Sequence, residues 1–110
     1  MSTQELLIEA VRQRKPIEYE YNRPGKIIGK RIGNPHIVFA GTTSEGIKRV
    51  WIHIAQTGGV SDTLVTFPDW RMFIVEFITD IRILSEEPEF NLQDGYNPDS
   101  DMYSEVLAKV

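Results

Sequence analysis

Apolar side chains recur at two periods along this chain. Leu7, Ala10, Val11 and Arg14 fall at helical spacing, with Leu6 widening the stripe. Ser2-Thr3-Gln4-Glu5 supplies a capping box ahead of them, and Pro16 ends the helix because the residue before a proline avoids helical dihedrals. Ile17-Glu18-Tyr19-Glu20-Tyr21 then alternates with period two, the pattern of a half-buried strand. Asn22-Arg23-Pro24-Gly25 predicts a reversal into a second strand over Lys26 to Ile32. Pro35 opens a third segment, His36 to Ala40, and a fourth strand runs from Ile47 to Gln56 after the polar turn Gly41 to Gly46. Thr57-Gly58-Gly59-Val60-Ser61-Asp62 reads as a flexible connection, either a ligand-facing lid or a plain hairpin loop. The densest apolar run lies between Trp70 and Leu84, with Arg71 set between Trp70 and Met72.

These elements predict a mainly β fold with flanking helices: a small, strongly bent antiparallel sheet or barrel preceded by one helix. The domain body is expected to span residues 1–90. Residues 91–110 read as an acidic tail in which Asp99 or Ser100 caps a short amphipathic helix with Met102, Tyr103, Val106, Leu107 and Val110 on one face.

At 110 residues with 41% hydrophobic side chains, one domain can bury a core without metals or disulfides. The absence of cysteine excludes a disulfide framework, a thiolate zinc site and a cysteine nucleophile. No apolar run is long enough to span a bilayer and the N-terminus lacks a signal-peptide pattern, so a soluble cytoplasmic protein is expected. The net charge of −4 conceals a division. Residues 12–49 carry nine Lys/Arg against three Glu, and residues 83–110 carry seven Asp/Glu against one Lys. An acidic pI is thus compatible with a local anion site, and the acidic tail is in principle a competitor for it.

The order of these pieces resembles the WYL domain, the Sm-like, SH3-type β-barrel module of bacterial transcription regulators and defence-associated proteins. The likeness covers roughly residues 5–90. It is carried by the leading helix, Ile17-Glu18-Tyr19-Glu20-Tyr21, Arg31 to Pro35, Val50-Trp51-Ile52-His53-Ile54 and Arg71-Met72-Phe73-Ile74-Val75-Glu76-Phe77-Ile78. The naming motif reads Trp51-Ile52-His53 here in place of Trp-Tyr-Leu, and Phe77 stands where many members carry a basic residue. No helix-turn-helix precedes the barrel in this sequence, so the resemblance implies a divergent relative.

That resemblance implies a non-enzymatic module that recognises nucleic acid or a nucleotide-like anion through Arg31, Trp51 and Arg71, with no cofactor or metal. The chemistry is coherent, since a guanidinium offers a planar fork to phosphate and an indole a stacking face to a base. A structural role competes with it: Trp51 in the core, and both arginines extended to solvent or paired with Glu76 or Asp80. His36 and His53 match no metal or triad spacing, and the loop Asp94 to Asp101 does not follow an EF-hand order. The alternative function is assembly into homo-oligomers, a dimer first, through a barrel edge or the C-terminal helix.

Overall fold

The computed structural model of the chain describes residues 1–110. Helix α1 (Thr3–Gln13) begins with the expected capping box: Ser2 Oγ accepts from Glu5 N–H at 3.1 Å, and Glu5 Oε1 accepts from Ser2 N–H at 3.0 Å. Two otherwise orphaned donors are satisfied in this way. Arg14 takes a left-handed conformation at φ 53°, and the following N–H of Lys15 returns to Ala10 O at 3.1 Å. The helix buries Leu7, Ala10 and Val11 completely, and each large apolar side chain so placed contributes about 1.5–3 kcal/mol.

Six strands follow: β1 (Ile17–Tyr21), β2 (Lys30–Thr42), β3 (Lys48–Gly59), β4 (Asp69–Ile74), β5 (Ile78–Ile83) and β6 (Glu105–Lys109), with a 3-10 turn at Val75–Phe77 between β4 and β5. All pairings are antiparallel, in the order β4-β3-β2-β1-β5, and β6 pairs with β2. The mainly β class and the N-terminal helix agree with the apolar pattern. No ladder joins β4 to β5, so the sheet is not closed into a barrel.

The two segments expected on either side of Gly33 and Pro35 are one long strand, β2. Its first part, Lys30 to Gly33, pairs with β1, and Ile37 to Ala40 pairs with β6. Pro35 lies where the opposing ladder to β3 bulges, between Pro35 and Ile37, and where the strand changes partners. A proline has no N–H to leave unpaired at such a point, which explains why the strand continues through it.

The C-terminal helix does not form. Residues 105–109 are strand β6, with Val38 opposite Ala108 and Phe39 opposite Val106. Only Ala108 of this strand is buried, so the anticipated one-sided stripe of Met102, Tyr103, Val106, Leu107 and Val110 gives way to an edge strand that is exposed at its other four residues. Five residues with one β-branched side chain have little intrinsic helix stability, and a ladder to a buried strand satisfies their backbone instead.

The main core joins α1 to one face of the sheet through Leu7, Val11, Ile17, Tyr19, Ile52, Ile54 and Phe73. The opposite face is covered by the chain from Phe90 to Tyr103. Phe90 and Tyr96 pack on His36 at ring-centroid distances of 4.9 and 5.0 Å, and Tyr103 packs on Phe39 at 4.9 Å.

Candidate functional site

Alternation along β3 and β4 sorts the three expected site residues. Ile52 faces Phe73 and Ile54 faces Arg71 across the ladder, and residues directly opposite in an antiparallel pair share a face. Arg71 therefore stands on the core face with Phe73, whereas Trp51 lies on the other face beside Met72 and His53. Trp51 borders a shallow cleft of about 240 Å³ with Phe39, Met72 and Met102.

Arg31 and Arg71 are brought together. Arg31, 1% exposed, uses Nη2 to reach Asp62 Oδ2 and Ile27 O, each at 3.2 Å. Its guanidinium carbon lies 5.5 Å from the Phe73 ring centroid, within cation–π range. Arg71 Nη2 donates to Ser61 Oγ at 3.0 Å and Thr63 Oγ1 at 2.9 Å, and lies 3.6 Å from Asp69 Oδ2. The two arginines thus hold three consecutive residues of one loop, Ser61, Asp62 and Thr63. Neither Glu76 nor Asp80 is their partner; Glu76 pairs with Arg49.

Tyr19 completes the cluster from β1, opposite Arg31 in the ladder. Burial pushes its hydroxyl well above the ordinary range, against the opposing pull of the Arg31 and Arg71 charges. The Tyr19 hydroxyl, Arg31 Nε and Arg71 Nε are buried with no hydrogen-bond partner in the protein. Unpaired buried polar groups cost about 1–3 kcal/mol each, so three of them in one cluster mark a place suited to an acceptor. Local geometry tightens the site further: Gly59 has φ +87°, and a Cβ there would stand 2.2 Å from Lys30 O and 2.6 Å from Arg31 Cα. Only glycine lets β3 end this close to the arginine.

The acidic C-terminal segment does not reach this cluster. Its one ion pair with residues 12–49 joins Glu105 to Lys48 at 3.1 Å, between exposed side chains. The carboxylate on Arg31 comes from Asp62, in the loop that the glycine pair marked as flexible. Tyr19 and Asp62 escaped sequence reasoning because one reads as an ordinary inward strand residue and the other as a loop acid. The histidines meet no metal-like company: no group of three or more His, Asp or Glu side chains is arranged to hold an ion. No helix is long and apolar enough to cross a membrane. No protein-family model, curated protein or solved structure matches this chain.

Proposed function

We propose that this protein is a non-enzymatic binding module, a divergent relative of the WYL domain whose sheet is bent in the SH3/Sm manner, and that it holds a phosphate-bearing ligand, a nucleotide or nucleic acid. The strand order β4-β3-β2-β1-β5, the helix ahead of it and the 3-10 turn between β4 and β5 support the fold part of this reading. One observation carries the ligand part: Arg31, Arg71 and Tyr19 present three buried, unpartnered donors around a single loop. In this reading an anionic oxygen of the ligand takes the place of the Asp62 carboxylate, so that binding exchanges carboxylate for phosphate oxygen on Arg31. Trp51, on the other face, takes no part in that exchange.

Titration of ATP, single-stranded DNA and RNA at low ionic strength tests the reading. Saturable binding that weakens with salt and is lost in Arg71→Ala is expected, because guanidinium–phosphate contacts release counterions. Absence of saturable binding to all three overturns it.

A second reading is favoured by a different observation. Strand β6 pairs only with β2, and Val106 and Leu107 on it are 41% and 37% exposed. An open edge of this kind is a template for pairing with a second copy of the chain.

A further inference from the structure

On the face opposite α1, a second cleft of about 190 Å³ opens among His53, Trp70, Tyr96, Asn97, Met102 and Tyr103. Its walls are aromatic: ring centroids of His53 and Trp70 lie 4.6 Å apart, and those of Trp70 and Tyr96, like those of His53 and Tyr103, 6.0 Å apart. One polar atom of each ring is already engaged. Trp70 Nε1 donates to Asp94 O at 3.0 Å, the Tyr96 hydroxyl donates to Val110 O at 3.1 Å, and the Tyr103 hydroxyl and His53 Nδ1 share a hydrogen bond of 2.8 Å. What remains for an occupant is ring surface and the Met102 side chain, with the neutral polar groups of His53, Asn97 and Ser100 at the margin.

An anion finds little positive charge there: the Trp70 and Tyr96 donors are spent, and the donors that remain, on His53, Asn97 and Ser100, are neutral and stand beside an acidic segment. A cation is better served, since ring faces carry the negative lobe of the aromatic quadrupole. The surrounding charge has the same preference: Asp94, Asp99 and Asp101 belong to the segment that supplies six of the eight lining residues, and residues 83–110 hold seven acids against one lysine. That lysine, Lys109, approaches Asp99 only to 3.9 Å, with both side chains exposed. Burial lowers the His53 pKa, so the histidine places no competing positive charge in the cleft at neutral pH. The volume is below the roughly 300–1,000 Å³ typical of sites for drug-sized ligands, and suits a small head group.

We infer that the cleft among His53, Trp70, Tyr96 and Tyr103 binds the quaternary ammonium head of a small solute. This site is independent of the arginine cluster, on the other side of the sheet, and its failure leaves the anion reading intact.

The test titrates choline into the full chain, following tryptophan fluorescence and backbone amide shifts. Dimethylbutanol, the carbon isostere of choline, has the same shape without the charge and serves as the control. Choline is expected to bind at least about fivefold more tightly than its isostere, the margin a cation–π contact supplies. Tyr103→Phe keeps the ring and should retain affinity within about twofold, whereas Tyr103→Leu should lose about fivefold or more. Equal binding of choline and dimethylbutanol overturns the inference on the unaltered protein, whatever the variants do. So does choline binding with no shift in residues 95–103. Saturable binding of a trimethyllysine peptide without binding of choline overturns the assignment to a small solute.

Discussion

Arg31 Nη2 and Asp62 Oδ2 stand 3.2 Å apart, the arginine side chain 1% exposed and the aspartate 23%. The pair ties β2 to the loop after β3, and Asp62 also accepts the Ile27 N–H at 2.6 Å. Desolvation works to raise the Asp62 pKa, but the Ile27 N–H and the Arg31 charge outweigh it and hold the carboxyl below its ordinary range. The stability it contributes is present above the unfolded-state pKa near 4 and is lost as pH falls through the lower folded value. Asp62→Ala strands a buried guanidinium and should cost about 3 kcal/mol in urea denaturation. Asp62→Asn keeps an oxygen acceptor and should cost less. If Asp62 occupies the ligand's place, the same Asn variant binds nucleotide more tightly than the natural chain; unchanged or weaker binding by a folded Asn variant removes the exchange from the account.

Arg71 separates a binding role from a structural one. Its close partners are two neutral hydroxyls, and the carboxylate of Asp69 stands farther off, 44% exposed at the side chain. Arg71→Ala leaves no buried charge behind, so it should destabilise the fold by about 1 kcal/mol only. Anion affinity should fall strongly in the same variant. A stability loss of about 3 kcal/mol or more with anion binding retained would sink the site assignment.

His36 predicts a pH dependence of its own. Gln93 N–H donates to Nε2 at 3.0 Å, which makes Nε2 the bare nitrogen and leaves Nδ1 to donate to Asn34 O at 2.8 Å. Both contacts need the neutral ring, since a proton on Nε2 would face a donor. Burial is the chief reason its pKa is lowered to about 4; the bond to Asn34 opposes that shift, and the charges of His53 and Arg14 add to it. Stability is therefore complete above the unfolded-state value near 6.5 and declines as pH falls towards 4, by an amount on the order of 3 kcal/mol. Denaturation midpoints at pH 7, 5 and 4 should show a smaller decline in His36→Gln than in the natural chain. Parallel profiles for the two proteins would dispose of this assignment.

Local signals and non-local ones were unequally legible in the chain. The capping box of Ser2 and Glu5 and the alternation of Ile17 to Tyr21 are complete within a few residues, and the structure contains both. Strand β6 is the opposite case. Met102, Tyr103, Val106, Leu107 and Val110 fit a helical stripe, and nothing within residues 99–110 announces that Ile37 to Ala40 offers a free ladder. The candidate site divides in the same way. Arg31 and Arg71 stand out as cations in apolar surroundings, but their convergence depends on Ser61, Asp62 and Thr63, residues of a loop with no apolar period to place it. Trp51 shares a strand with core residues, and only the parity of the register puts it on the far face.

The edge of β6 yields the last prediction. Its backbone pairs with β2 on one side, and the exposed Val106 and Leu107 lie near no charged neighbour in sequence except Glu105 and Lys109. Natural edge strands are blunted by charge; here Glu105 and Lys109 charge the two ends while the middle is apolar, and an apolar stretch of open edge invites a second copy, most often in a two-fold dimer. Leu107→Lys puts a charge in the apolar middle of the strand at a position 37% exposed, where it should cost folding no more than about 1 kcal/mol. Light scattering should then report a dimer for the natural chain and a monomer for the variant at the same concentration. A natural chain that is monomeric throughout the accessible concentration range rules out self-assembly, and a variant that stays dimeric moves the contact away from β6.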